Sequence, residues 1–135
     1  MPALNELAAR AFDAHSIFAD RVHFVHVYVI EPHPMAPDVS PYSGAVWEAN
    51  YSTKRQPRTY PEREACAREM LGSLKGPQIM LVDDLGGAAT NPVWCTYGTC
   101  PNCAFLVRQD GTIDTVQTWL DPSAMERAVR ALLGR

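Results

Sequence analysis

The sequence lacks the marks of a nucleic-acid binder, a membrane protein and a secreted scaffold. Twelve Lys and Arg stand against fifteen Asp and Glu, for a net charge of −3. There is no basic surplus to neutralise phosphates and no strongly charged tail. No apolar run approaches the ~18 residues that a membrane helix needs. The opening MPALNELAARAF has neither a charged n-region nor an apolar h-region, so it does not read as a signal peptide, and the expected location is cytoplasmic. Four cysteines are too few for a disulfide framework. With no secretion signal, the Asn50-Tyr51-Ser52 sequon carries no weight. Internal repeats and low-complexity tracts are absent too.

What is present is an ordinary globular composition. Hydrophobic residues make up 47% of the 135 and charged residues 20%. That suits one core, so a single domain over 1–135 is expected. Leu4, Leu7, Ala8, Ala11 and Phe12 recur at helical spacing, which predicts an amphipathic helix over 3–18. Residues 21–31 (RVHFVHVYVIE) read as a strand apolar on both faces, hence one covered on both sides. Pro32, Pro34, Pro37 and Pro41 then open an insertion loop over about 32–58, long enough to be functional or mobile. Thr59-x-x-Glu62 is a capping box with Pro61 in the first turn, and predicts a helix to about Leu74 that Gly76-Pro77 stops. Residues 78–83 read as a strand, 88–97 as a short helix and 103–107 as a strand. Asp110-Gly111 turns the chain into a hairpin partner over 112–116. Asp121-Pro122 caps a last helix over 122–133. The order α-β-α-β-α-β-β-α predicts a three-layer α/β fold.

Several patterns now become specific. Residues 27–33 (VYVIEPH) close the strand with Glu31-x-His33. Asn50-Tyr51-Ser52-x-Lys54, Arg58-Thr59 and Glu62-Arg63 follow the insertion. Asp83, Tyr97-Gly98, Pro101, 105–107 and Asp110-Gly111 complete the set. This pattern resembles the iodothyronine deiodinase-like family of the thioredoxin-like superfamily, over about 3–133. The resemblance implies a thioredoxin-like three-layer sandwich and a thiol- or selenol-dependent oxidoreductase. It implies no bound cofactor, and a thiol reductant as cosubstrate. In such proteins the nucleophile, a selenocysteine or cysteine, sits between the first core strand and the next helix. Here that helix is the one over 3–18, so the resemblance places the first core strand and the nucleophile loop upstream of Met1. The expectation is a chain truncated at its N-terminus and inactive as written. A selenocysteine codon read as a stop, with translation resumed at the next methionine, would produce that start.

The candidate site residues follow. Histidine as a residue type can exchange a proton near neutral pH, so His33, at a strand end, suits proton donation, with Glu31 to orient it. Cys100-Pro101-Asn102-Cys103 is a CPxC motif, a redox signature where a helix N-terminus lowers the thiol pKa. Here a strand follows instead, so Cys100 or Cys103 is expected to resolve an intermediate formed on an upstream nucleophile. By the resemblance Pro101 occupies the cis-proline loop that faces the active site. Cys95-x4-Cys100-x2-Cys103 is also the spacing of three plant-type ferredoxin ligands, or of a zinc site completed by a histidine, although no fourth cysteine follows. Cys66 reads as packing inside a helix. His23 and His26 fall on opposite strand faces, and His15 near a helix end. Tyr42, Trp47 and Tyr51 on the insertion suit an apolar substrate, or simply seal the loop. Lys54, Arg55 and Arg58 suit an anionic group or a solvated face.

The expected partners are a small-molecule or thiol substrate: a peroxide, a disulfide or a halogenated compound. Nucleic acid and membrane are not expected. Two rival readings stand beside the enzyme. One is a non-catalytic thioredoxin-like subunit whose missing strand comes from a homo-oligomer or a strand-donating partner. The other is a metal-binding module using Cys95, Cys100 and Cys103.

Overall fold

Local signals fix the helices. In the computed structural model, which describes residues 17–18, 20–41, 43–46, 53–74, 78–85, 90–98 and 102–134, the capping box at Thr59 is formed as expected. The Thr59 hydroxyl accepts from the Glu62 amide at 3.4 Å, and the Glu62 carboxylate accepts from the Thr59 amide at 3.1 Å. From this cap helix α1 runs over Tyr60–Ser73 with its proline in the first turn. Its inward residues are Arg63 and Ala67.

Strand β1 (Val25–Tyr28) pairs in parallel with β2 (Ile79–Val82), in the register Val25 to Ile79 through Tyr28 to Val82. The strand expected over 21–31 is therefore four residues long. Upstream, the amides of Arg21 and Val22 bond to the Phe18 carbonyl and finish a helical turn. Downstream, the backbone of Glu31 is claimed by the Gln56 side chain, which accepts from its amide at 2.9 Å and donates to its carbonyl at 2.9 Å. A ladder cannot extend where a side chain has satisfied the backbone. The expectation of cover on both faces holds on one. His26, Tyr28, Met80 and Val82 are half-buried on one face, and α1 packs against β2. Val25, Val27, Ile79 and Leu81 share the other face and are exposed. After β2 comes the short helix α2 (Pro92–Tyr97), which starts later than the expected residue 88.

Strands β3 (Ala104–Val107) and β4 (Ile113–Gln117) form an antiparallel hairpin, with a register shift between Leu106 and Val107. Gly111 takes φ 86°, a turn conformation that only glycine adopts readily. The Asp110 carboxylate closes the turn by accepting from the Thr112 amide at 2.9 Å and its hydroxyl at 2.7 Å. Helix α3 (Pro122–Leu133) starts at Asp121, whose carboxylate accepts from the Ala124 amide at 3.0 Å. It packs against β3.

The chain is mixed α/β and falls into two compact units, Val22 and the residues before it with 100–135, and His23–Thr99. In the first unit Phe18, Leu106 and Val129 are buried, and the Arg130 guanidinium lies 5.2 Å from the centre of the Phe18 ring. In the second the fully buried positions include Arg63, Asp83, Pro34 and Ser40, so much of that interior is polar. Among the described residues, no helix is long and apolar enough to cross a membrane. Of the helix expected over 3–18, Ile17 and Phe18 are helical and 3–16 lie outside the described residues.

Candidate functional site

In a parallel pair the carboxyl ends of the strands and the amino ends of the following helices meet on one side, where ligands gather. In the second unit that side carries Tyr28, Glu31 and His33 after β1, Asp83 and Asp84 after β2, and Arg63 and Cys66 from α1. The Tyr28 hydroxyl donates to the Glu31 carboxylate at 2.8 Å, and the Cys66 thiol lies beside the same hydroxyl. Burial is the largest cause holding the Tyr28 phenol protonated far above its ordinary value. The bond to Glu31 and that carboxylate's charge add to it, followed by Cys66. His33 is half-buried, two residues beyond Glu31. Glu31 is thereby fixed at three points, by Tyr28 through its side chain and by Gln56 at both backbone groups.

Asp83 is buried and fully engaged. Its carboxylate accepts from the amides of Asp84, Val93 and Trp94, each at 3.0 Å. It thus caps α2 from outside, in place of Asn91, which occupies the cap position with φ 54° and no side-chain cap bond. Arg63 reaches the same strand end. Its Nη1 donates to the carbonyls of Asp83 at 3.2 Å and Asp84 at 3.1 Å. Burial lowers its pKa from the ordinary value, against the opposing charges of Asp83, Tyr28 and Asp84.

The insertion is a clasp wherever it is described. Asp38 accepts from Arg55 Nε at 2.6 Å and Nη2 at 2.9 Å, from the Gln56 amide at 2.9 Å and from Arg58 at 3.1 Å. The Arg55 bonds, then the Gln56 amide, hold the Asp38 carboxyl far below the usual carboxylate range. The buried Ser40 hydroxyl donates to the Pro32 carbonyl and accepts from the Ser43 amide at 3.2 Å. Lys54 pairs with Glu69 on α1. In the cluster Lys54, Arg55 and Arg58 each side chain is ion-paired within the chain, and Arg58 stays largely exposed.

Of the expected site residues, Glu31 and His33 lie together after β1. Cys103 lies in the other unit, half-buried just ahead of β3. Cys100, Pro101, Trp47 and Tyr51 lie outside the described residues, as does Tyr42. Cys95 is exposed on α2, with its thiol 3.8 Å from the Thr90 carbonyl. Cys66 and Cys95 form no disulfide among the described residues. Among the described residues no group of three or more His, Cys, Asp or Glu could hold a metal ion, and the set Cys95, Cys100, Cys103 is only partly among them.

Sequence reasoning missed Tyr28, Arg63 and Asp83, and read Cys66 as packing. One signal was available: Arg63 and Cys66 are three apart on α1 and so share a face. Asp83 as the cap of a helix that starts nine residues later had no local signal. No family model, curated protein or solved structure matches the chain.

Proposed function

We propose that this chain is the thioredoxin-like body of a thiol- or selenol-dependent oxidoreductase of the deiodinase-like type. The observation that carries the reading is Glu31-x-His33 at the carboxyl end of β1 in a parallel pair, with Glu31 held by Tyr28 beside the Cys66 thiol. The mixed α/β order with a closing hairpin and helix supports it.

In this reading a selenolate or thiolate supplied ahead of Met1 attacks the substrate. A bond forms to selenium or sulfur, the substrate's leaving group departs with the electron pair, and His33 supplies its proton. A thiolate from Cys100 or Cys103 then attacks the oxidised sulfur or selenium; the bond to the group taken from the substrate breaks, that group leaves as water, a thiol or halide, and a mixed disulfide or selenenyl sulfide remains. Attack by the second thiol releases the nucleophile and leaves a Cys100–Cys103 disulfide. An external thiol reduces that disulfide, so the substrate gains two electrons and two thiols lose them. Peroxides, disulfides and halogenated small molecules are the substrate classes this chemistry takes.

The test is reversible disulfide formation in the purified chain, followed by intact mass and free-thiol titration. Oxidation is expected to remove two hydrogens, reversibly with dithiothreitol, and Cys100→Ser and Cys103→Ser are each expected to abolish it. Unchanged behaviour in both variants overturns the resolving role. Zinc or iron that co-purifies and is lost in Cys100→Ser transfers the cysteines to the metal-binding reading.

A further inference from the structure

Arg63 is 1% exposed, and its charge has no carboxylate partner within ion-pair distance among the described residues. The nearest buried carboxylate, Asp83, is committed to three backbone amides. Among the described residues only Nη1 of the guanidinium is hydrogen-bonded, to two carbonyls, and Nε is buried with no acceptor. A buried guanidinium is ordinarily paired, because leaving a buried charge uncompensated is strongly destabilising.

A second orphan stands close by. Oδ1 of Asn91 is buried with no donor. Both residues converge on one atom: the Asp84 carbonyl oxygen accepts from Arg63 Nη1 at 3.1 Å and from the Asn91 amide at 2.9 Å. Asn91 is also the one described non-glycine residue with positive φ, at 54°. Strained backbone and unpaired buried polar atoms gather where a ligand completes the structure. The place is the carboxyl end of a parallel strand pair, beside the amino-terminal turn of α1.

We infer that Arg63 and Asn91 form a binding site for a small carboxylate that bears a hydroxyl or N–H next to its anionic group. The carboxylate oxygen accepts from Arg63 Nε, the buried guanidinium donor that no described acceptor meets. The neighbouring hydroxyl or N–H donates to Asn91 Oδ1. This inference stands on the second unit alone and does not depend on the redox reading.

The test follows the orphan atom itself. The arginine Nε–H resonances of the full chain are recorded by 1H–15N NMR while glycolate, acetate or chloride is added, and Arg63→Lys assigns the peak. The expected result is a saturable shift of the Arg63 Nε–H signal with glycolate, weaker binding of acetate, and none of chloride. Followed on the Asn91 backbone amide, which remains once the arginine signal is gone, glycolate binding to Arg63→Lys is expected to be about tenfold or more weaker, because a charge-assisted hydrogen bond is lost. Asn91→Gly suits φ 54° and keeps the fold. It is expected to bring glycolate down to the affinity of acetate. A signal that none of the three anions shifts, or that chloride shifts equally, overturns the site and leaves two polar atoms joined by structural water. Equal affinity for glycolate and acetate in the unaltered chain removes Asn91 from it.

Discussion

Asp38 ties the insertion together through side chains 17 to 20 residues away in sequence. Its folded-state pKa lies far below the ordinary 3.8, chiefly through Arg55. The unfolded chain therefore takes up the proton first as pH falls, and the stability this group contributes above that value is lost below it. Glu62 and Asp110 are shifted in the same direction. Urea denaturation at a series of pH values is expected to show stability falling as the solution is acidified below pH 3.8, and Asp38→Asn is expected to flatten that fall. An unchanged acid limb in the variant would show that the clasp does not contribute. Tyr28 works at the other end of the scale. Its phenol is held protonated well above 10, so the folded state loses stability relative to the unfolded one as pH rises past that value. Absorbance titration of the folded chain is expected to show a phenol that stays un-ionised past the ordinary range, and Tyr28→Phe is expected to remove it.

At the scale of elements, the helix signals worked because they are local. The Thr59-x-x-Glu62 box, the Asp121-Pro122 start and the Asp110-Gly111 turn each set a boundary that the structure keeps. Thr59→Ala is expected to cost about 1 kcal/mol in urea unfolding. Strands are decided by partners. The run over 21–31 looked like one long strand, but β2 offers four residues and Gln56 takes the Glu31 backbone. The clasp around Asp38 and the capping of α2 by Asp83 were illegible for the same reason, since each joins residues that only the fold brings together. The hairpin gives an internal control. Leu106 is 9% exposed and Val107 beside it 52%. Leu106→Ala is expected to cost about 2–4 kcal/mol, and Val107→Ala under about 1 kcal/mol. Equal costs would contradict the packing of α3 on β3.

At the scale of the whole molecule, the apolar residues are unevenly used. Val25, Val27, Ile79 and Leu81 face outward from a two-stranded parallel sheet, an arrangement that parallel strands seldom adopt uncovered. The sequence pattern is apolar on both sides of β1, and the structure leaves one of those sides exposed. Of the candidate site, the place of Glu31 and His33 beyond the first strand was legible in the β-branched run, although the strand ends at Tyr28 and not at Glu31. Tyr28, Cys66, Arg63 and Asp83 were not, because each owes its place to packing between α1 and the strand ends.

The proposal that most needs a test is that the chain belongs to a redox enzyme whose nucleophile precedes the helix expected over 3–18. The nucleotide sequence ahead of the Met1 codon tests it most directly, over the roughly 150 bases that encode a strand-and-loop unit. An in-frame cysteine codon or TGA just upstream, preceded by codons for a β-strand pattern, is expected. An in-frame stop of another type at that place, with no such pattern before it, would overturn the redox proposal.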